Sequence, residues 1–448
     1  MKWKNKGHEF DELGKIFEKN KDLLFLGDID KAKKMKECLN FLGAKIFIAE
    51  NTNLKDVDFN NKTILIFGNH CYIEEFIIQK GLRKNVEYFI ISEFNTNDFS
   101  SYFNEFTKKY LSIFAIYGYD KVYIGDNNIV TTTVCNLNCK ACLNYEPYIK
   151  NKKHNDFDRL KKDIDLYFKN VDMVGLLHIT GGEPTLYKEL PKFLKYINDN
   201  YRHKIVNLVM PTNCMVGISD ELCETFKECN VIVQVDNYLE AVPQHKDIYE
   251  NNIKKLNDYK INTEIIPAGI NWNWCETYPP KYDYSKLPEE ELMKRFDYCG
   301  CDFSEIRNGG LHVCNYQSYA ETAGIIEEDK DSFFDLSGNV NKKELIEFRL
   351  KYNNKGYVEF CKSCNGLYPL NLDNIKAAQQ TKGIIEWDGI FKECNYTPVD
   401  TLKTTNKIIQ LEKQVNELTN KLDKLINKVA WFIPVRKWRD KFRNIINY

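Results

Sequence analysis

The 448-residue sequence lacks a long apolar run, a secretory signal and an excess of either charge. Its longest uncharged apolar stretch is far below the roughly 18 residues that a membrane-spanning helix needs, and the N-terminus, MKWKNKGHEFDELGKIF, has no apolar segment of the secretory kind. Lysine and arginine total 63 against 64 aspartates and glutamates, so the overall charge favours no nucleic-acid partner. We therefore expect a globular, cytoplasmic protein without a nucleic-acid ligand.

The N-terminal part also lacks a glycine-rich phosphate loop. Residues 22–92 alternate apolar strands with helical stretches, which predicts a small, Rossmann-like α/β domain with parallel strands within residues 1–115. Gly27 and Asp28 after the first strand, with Glu50 after the second, only faintly resemble a nucleotide-binding turn. We predict a domain that holds a substrate or partner, with nucleotide binding as the alternative.

The alternation starts again at residue 125 and predicts at least five further βα units up to residue 285. Such units in series favour a whole or partial β/α barrel, whose chemistry lies at the carboxyl ends of the strands. Residues 286–400 are irregular and cysteine-rich, and residues 406–448 form a tail with a different, helical pattern. The chain is therefore predicted to be an α/β protein with four segments.

Cysteine is plentiful, at 15 residues, and disulfides would not persist in a reducing compartment. Three cysteines, Cys135, Cys139 and Cys142, stand in the segment TTTVCNLNCKACLNY, just past the first predicted barrel strand. Four thiolates complete a tetrahedral zinc site or a cubane, whereas three leave one iron open. The loop thus predicts a [4Fe–4S] cluster whose free iron binds a small molecule. A zinc site completed by a distant residue such as His178 is the alternative.

This cysteine spacing, followed by HITGGEPTLY at the end of the second strand, resembles the radical S-adenosylmethionine (SAM) superfamily. The resemblance implies a partial (β/α)6 barrel, SAM bound to the open iron, and an electron donor such as flavodoxin or ferredoxin. Cleavage of SAM would give a 5′-deoxyadenosyl radical that removes a hydrogen atom from a substrate. Two positions, Ala141 and Gln234, depart from the aromatic and serine that relatives often have there. The SAM-binding residues implied by the resemblance are Gly181, Gly182, Glu183, Pro184, Asn213 and Asp236.

A second cysteine set follows the barrel, in YCGCDFSEIRNGGLHVCNY and EFCKSCNGLY. A hairpin around Asn308-Gly309-Gly310 is predicted between Cys301 and Cys314. The layout resembles the SPASM or twitch extensions of radical SAM enzymes, which hold an auxiliary iron–sulfur cluster. Its implied ligands are Cys301, Cys314, Cys361 and Cys364, with Cys299 as the rival of Cys301. A zinc site of the same ligands is the alternative.

The tail carries a heptad pattern and then a basic amphipathic segment after Pro434, with Trp438 on its apolar face. The heptad predicts a short coiled coil, either a weak parallel self-association or packing on the enzyme itself. The basic segment predicts either contact with the inner face of an anionic membrane or a docking helix. The heptad residues are Ile408, Leu411, Val415, Leu418, Leu422, Leu425 and Val429.

This tail resembles the terminal segment of bacterial enzymes of surface-polysaccharide biosynthesis. That resemblance favours a sugar or nucleotide-sugar as the small-molecule substrate, which would be oxidised, epimerised or deoxygenated. Modification of a ribosomally made peptide is the alternative enzyme function. A zinc-stabilised scaffold of a glycan-assembly complex is the alternative without catalysis.

Overall fold

The computed structural model of the chain describes residues 1–49, 53–68, 70–91, 104–267, 274–431 and 438. The chain divides into two compact units, Met1–Lys392 and Glu393–Tyr448. Within the described ranges, no helix combines the length and the apolar character needed to cross a bilayer.

The N-terminal part of the first unit contains a four-stranded, fully parallel sheet. Its strands are β1 (Asp22–Gly27), β2 (Ile46–Ile48), β3 (Lys62–Phe67) and β4 (Tyr88–Ile91), in the order β2-β1-β3-β4. Its helices are α1 (Asp11–Lys19), α2 (Ile29–Cys38) and α3 (Cys71–Gln79). The central strands are apolar and buried over most of their length, which is typical of a parallel sheet covered on both faces. The predicted parallel α/β arrangement is therefore confirmed.

Asp28, which the sequence placed in a possible nucleotide-binding turn, caps helix α2. Its carboxylate accepts hydrogen bonds from the backbone N–H groups of Asp30 and Lys31, both at 3.1 Å. This is the ordinary role of an aspartate at a helix N-cap. Glu50, the other residue of that prediction, lies outside the described residues.

Helix α4 (Leu111–Tyr119) joins this domain to the larger sheet. Leu111 through Ile116 are all buried, so the helix is covered around its circumference. Leu111 and Phe114 belong to the core of the N-terminal domain, and Ile116 belongs to the core of the barrel. The two hydrophobic cores of the first unit therefore meet along one apolar helix.

The larger sheet begins with five parallel strands in sequence order and confirms an α/β fold consistent with a partial barrel. These are β5 (Tyr123–Val130), β6 (Met173–Thr180), β7 (Ile205–Thr212), β8 (Val231–Asn237) and β9 (Thr263–Pro267). The helices between them are α5 (Phe157–Asn170), α6 (Leu190–Tyr201), α7 (Asp220–Glu228) and α8 (Lys246–Asp258).

The cysteine-rich extension continues the same sheet on the other side of β5. A sixth parallel strand, β10 (Glu305–Arg307), pairs with β5, and β11 (Gly310–His312) and β12 (Phe333–Asp335) follow antiparallel. The predicted hairpin connects β10 and β11, with Asn308 at φ 56° and Gly309 at φ 78°, the two positive values that such a tight turn requires. The helices here are α9 (Glu289–Tyr298), α10 (Asn315–Thr322) and α11 (Lys342–Arg349).

The second unit contains one long helix, α12 (Val399–Trp431). The predicted heptad residues lie on it, and the six from Ile408 to Leu425 are exposed by 50% to 64%. Apart from Trp438, the basic segment predicted after Pro434 lies outside the described residues.

A buried ion pair ties the extension to the first barrel strand. Arg349 on α11 donates from Nη2 to Asp126 Oδ1 on β5 at 2.7 Å and to the Asp126 carbonyl oxygen at 3.1 Å. The two side chains are only 8% and 2% exposed. Burial raises the pKa of Asp126, and the neighbouring Arg349 opposes that shift. The guanidinium therefore compensates a carboxylate that has lost its water.

We expect the Arg349→Ala variant to lose about 3–5 kcal/mol of unfolding free energy, because it leaves Asp126 buried without its partner. Urea denaturation at neutral pH measures this loss. Arg83→Ala, which removes a pair whose arginine is 63% exposed, is the control and should cost less than about 1 kcal/mol. Equal losses in the two variants would contradict the prediction.

Candidate active site

The residues predicted to bind the cluster and SAM surround one cavity of about 240 Å³ at the carboxyl ends of strands β5 to β8. The loop after β5 brings three thiols to this cavity, and the turn after β6 brings the Gly-Gly-Glu-Pro segment. The ends of β7 and β8 add one predicted residue each. The residues brought together are Cys135, Cys139, Cys142, Gly181, Gly182, Glu183, Pro184, Asn213 and Asp236.

The cysteine loop and the glycine turn are held against each other by backbone hydrogen bonds. Gly182 N–H donates to the Thr132 carbonyl at 2.7 Å, and Glu183 N–H donates to the Val134 carbonyl at 2.9 Å. A Cβ atom on Gly181 would lie 2.7 Å from the Thr132 oxygen, and one on Gly182 would lie 2.5 Å from the Val134 oxygen. Only glycine permits this approach, so both glycines are needed to place the thiols.

The Glu183 carboxylate links the ends of strands β6 and β7. It accepts hydrogen bonds from the hydroxyls of Thr185 and Thr212, both at 2.7 Å, and from the Asn213 backbone N–H at 2.8 Å. Burial raises the pKa of Glu183, and these hydrogen bonds oppose the shift. Much of its hydrogen-bonding capacity is thus used within the protein.

Asn213 and Asp236 are also held by neighbours. Asn213 donates from Nδ2 to Asn136 Oδ1 at 2.8 Å, and Gln234 donates from Nε2 to Asp236 Oδ1 at 3.2 Å. Burial raises the pKa of Asp236 to about 6. Gln234, one of the two residues that depart from relatives, therefore holds a predicted SAM-binding carboxylate.

Sequence reasoning missed the aromatic wall of this cavity. Tyr238 and Trp274 line it, with their rings edge to face and their centroids 5.4 Å apart. Ala141, where relatives often have an aromatic residue, is buried and supplies no ring. Neither Tyr238 nor Trp274 lies in a motif, so only their position after β8 and β9 could have indicated them.

The three thiols have the chemistry of cluster ligands. Burial raises the pKa of Cys139 to about 11 and of Cys142 to about 12, and it raises the pKa of Cys135 as well. Iron would displace their protons, since thiolates are the metal-binding form. Among the described residues, no three His, Cys, Asp or Glu side chains lie close enough to hold a single metal ion. In an iron–sulfur cluster, each cysteine binds a different iron, so the ligands need not converge on one metal ion. Three thiols that line one cavity therefore fit such a cluster.

His178, named above as a possible zinc ligand, lies on β6. Its ring stacks on Phe303 with centroids 5.5 Å apart. Burial lowers the pKa of His178 to about 4, so the imidazole is neutral at physiological pH.

The second cysteine set lines one further cavity, and both candidates for its first ligand are there. Cys301 Sγ lies 3.4 Å from Cys314 Sγ. Two consecutive backbone N–H groups donate to two of the other three sulfurs, Leu367 to Cys299 at 3.4 Å and Gly366 to Cys364 at 3.3 Å. The five residues are Cys299, Cys301, Cys314, Cys361 and Cys364.

Two cations flank these five thiols. Lys351 donates from Nζ to the Cys299 carbonyl at 2.7 Å, and Arg295 donates from Nη2 to the Cys364 carbonyl at 2.7 Å. Although burial lowers the pKa of Lys351, the nearby Cys299 and Asp302 raise it overall. A negatively charged group held by the thiols would therefore be partly compensated.

A second cavity near the barrel mouth, of about 220 Å³, shares Asn144 and Gly181 with the first. Asn144 donates from Nδ2 to the Gly181 carbonyl at 2.6 Å, so the two residues form a common wall. The rest of the lining is mostly polar and comes from the cysteine loop, α5, β10 and α10. These residues include Thr133, Glu146, Lys153, Asn155, Arg159, Glu305, Arg307, Tyr319, Glu321 and Thr322.

Glu305 is the acidic residue that β10 brings to this second cavity, and it is 2% exposed. It accepts a hydrogen bond from the Ser318 hydroxyl, and burial raises its pKa. Tyr319, which also lines this cavity, accepts a hydrogen bond from Asn128 Nδ2 at 2.7 Å. Sequence reasoning did not predict this cavity, because its wall depends on β10 lying next to β5.

Comparison with known proteins identifies the class. Residues 129–278 match the sequence model of the Radical SAM superfamily. GTP 3′,8-cyclase from Clostridium botulinum strain Okra is 24% identical over 266 residues, which cover 53% of this chain and 75% of that protein. The same enzyme from strain Hall is 23% identical over the same shares. The chain therefore contains a radical SAM domain and is a radical SAM enzyme, with the [4Fe–4S] cluster and SAM that this family uses.

Solved structures of low similarity were also found. BtrN in complex with AdoMet and 2-DOIA is 14% identical with a TM-score of 0.35, covering 56% of this chain and 96% of that one. SuiB of Streptococcus suis bound to its precursor peptide SuiA is 13% identical with a TM-score of 0.29, covering 77% and 84%.

We expect Glu183→Ala to lower the unfolding free energy by about 1–3 kcal/mol for each buried donor that it leaves without an acceptor. Thr212 and the Asn213 N–H are the two donors at issue. Denaturation of the protein without cofactors measures the effect. Glu189→Ala, which removes a carboxylate that is 45% exposed, is the control and should cost less than about 1 kcal/mol. A Glu183 variant as stable as the control would contradict the prediction.

Proposed function

We propose that this radical SAM enzyme removes a hydrogen atom from a sugar or nucleotide-sugar that binds in the second cavity. Cys135, Cys139 and Cys142 would hold the cluster. The Gly181–Pro184 segment, Asn213 and Asp236 would hold SAM. When bound, the cluster and SAM would supply a 5′-deoxyadenosyl radical that takes the hydrogen atom. Flavodoxin or ferredoxin would supply the electron.

The observation that carries this proposal is the polar second cavity sharing a wall with the first. A sugar presents hydroxyl groups that both donate and accept hydrogen bonds. The side chains that line this space include hydroxyls and amides, which can do both, and carboxylates, which accept. Arg159 and Lys153 add positive charge, which suits the phosphates of a nucleotide-sugar. The relatives named for a reaction of GTP, a phosphorylated nucleoside, also support this substrate class.

The residues of the second cavity would position the substrate and exclude water. Glu305 can accept a hydrogen bond from a substrate hydroxyl, because a carboxylate has more acceptor positions than the one that the Ser318 hydroxyl uses. Because the two cavities share the wall of Asn144 and Gly181, a sugar bound in the second cavity would lie beside the cavity proposed to hold SAM. Short separation matters here, since a reactive intermediate is best used where it forms.

Deuterium transfer from substrate to 5′-deoxyadenosine tests this function. Full-length enzyme reconstituted without oxygen is incubated with SAM, dithionite and ring-deuterated UDP-glucose or UDP-N-acetylglucosamine. We expect deuterium in 5′-deoxyadenosine with at least one of them. Glu305→Gln should lower that transfer at least tenfold, because the amide replaces a charged acceptor.

Two controls separate the parts of this prediction. Cys139→Ala should abolish 5′-deoxyadenosine formation altogether, whereas Glu305→Gln should retain the slow cleavage of SAM that occurs without substrate. Deuterium transfer from a labelled peptide, with none from either sugar nucleotide, would refute the sugar proposal and favour peptide modification.

The auxiliary ligands that we propose are Cys299, Cys314, Cys361 and Cys364. Charge on Cys299 and Cys314 acts on the pKa of both Cys361 and Cys364, after the larger effect of burial. The paired N–H bonds to Cys299 and Cys364 are those expected for thiolate ligands. Cys301 lies 3.4 Å from Cys314 and would be a fifth thiol beside the ligands.

Iron analysis of two neighbouring variants tests this choice. Cys299→Ala should lose the iron of one cluster, whereas Cys301→Ala should retain the wild-type iron content. The opposite result would restore Cys301 as the ligand. Zinc instead of auxiliary iron in the wild-type enzyme would support the zinc alternative.

The tail gives a separate proposal for self-association. In a parallel pair, Lys407 of one α12 helix would face Glu412 of the other, at positions that flank the exposed heptad residues. Contact of the basic segment with an anionic membrane surface remains a prediction from the sequence.

A further inference from the structure

A segment of the extension, residues 375–385, runs along the cysteine loop and is named here the strap. The first residue of the strap, Ile375, pairs with Trp274, which lines the cavity proposed to hold SAM. Its last residue, Ile385, contacts Pro147, just beyond the cysteines. Four backbone hydrogen bonds of 2.7–2.9 Å fasten it on the way. They join Ile375 to Trp274, Lys140 to Gln379, Thr381 to Asn138, and Ile385 to Pro147.

The strap makes three further hydrogen bonds to Asn138, the residue before Cys139. The Asn138 side chain donates from Nδ2 to the carbonyl oxygens of Gly383 at 2.7 Å and Thr381 at 3.2 Å. The Asn138 backbone N–H donates to Gln380 Oε1 at 2.8 Å. The conformation of the loop at Cys139 therefore depends on a segment outside the barrel.

The Gln380 amide is fixed in one orientation. A backbone N–H can only donate, so the contact with Asn138 identifies the Gln380 side-chain oxygen. The amide nitrogen then faces the Ala378 carbonyl at 2.8 Å and Cys139 Sγ at 3.3 Å. Gln380 thus donates an N–H to one of the three sulfurs proposed to bind the cluster.

Hydrogen bonds to the sulfurs are among the factors that set the potential of an iron–sulfur cluster, and they favour the reduced, more negative state. We propose that Gln380 is a positioning residue that orients Cys139 and makes the cluster easier to reduce. This inference rests on the proposed assignment of Cys135, Cys139 and Cys142 as ligands. It gives the extension a part in the first electron transfer, independent of the substrate.

A redox titration followed by electron paramagnetic resonance tests the proposal. The full-length enzyme is reconstituted without oxygen, and the signal that changes when SAM is added is assigned to the cluster at the cysteine loop. In Gln380→Leu and Gln380→Glu, we expect the midpoint potential of this signal to become more negative. A tenfold change in the reduction equilibrium corresponds to about 59 mV for one electron.

The two variants separate tuning from structure. Gln380→Glu keeps an acceptor for Asn138 N–H and thus keeps the strap, but at neutral pH it cannot donate to Cys139. Its negative charge would itself lower the potential, so the uncharged Gln380→Leu variant carries the test. A purely structural role of Gln380 would lower the iron content of Gln380→Leu and leave its potential unchanged. Gln379→Leu is the matched control, because the exposed Gln379 side chain takes part in none of these hydrogen bonds. It should have the wild-type potential.

Two results would overturn the proposal in distinguishable ways. A wild-type potential in Gln380→Leu would refute the role of Gln380 alone. A wild-type enzyme without any SAM-sensitive signal would refute the assignment of the three ligands, and the role of Gln380 with it.

Discussion

The candidate active site depends on the backbone pairing of residues 131–134 with residues 181–183. The hydrogen bonds from Gly182 and Glu183 continue the contact between β5 and β6 beyond the ends of the strands. Cβ atoms at Gly181 or Gly182 would force these segments apart and move all three thiols. The Glu183 carboxylate then accepts hydrogen bonds from Thr212 and Asn213, which link the turn to the end of β7. The geometry of the cavity thus follows from two residues that have no side chain.

The same loop builds both cavities of the barrel mouth. Its cysteines line the first cavity, Thr133 and Glu146 line the second, and Asn144 belongs to both. Burial raises the pKa of Glu146 to about 7, and the neighbouring Lys152 opposes that shift. Any change in the loop that accompanies cofactor binding would therefore reach the second cavity directly, without a longer path through the core.

Local patterns in the sequence were enough to predict the class of fold and most of the candidate site. The cysteine spacing, the Gly-Gly-Glu-Pro turn and the Asn308-Gly309 hairpin are each contained within a few residues. Contacts over long separations could not be predicted, because no local pattern reports them. Gln380 is 241 residues from Cys139, and Arg349 is 223 residues from Asp126. Cys299 and Cys301 are separated by one residue in an irregular segment, so only their three-dimensional contacts distinguish them.

The extension is an integral part of the barrel mouth. Strand β10 covers the edge of β5 that five sequential strands would leave open, and an unpaired parallel edge is unfavourable. The same strand brings Glu305 and Arg307 to the second cavity, and the following helix brings Tyr319. The first cavity is lined almost entirely by the barrel and its loops, with the strap fastened beside it. Substitutions in β10 and α10 can therefore alter the second cavity while the residues of the first remain in place. A barrel with constant cofactor chemistry can in this way acquire different substrates through its extension.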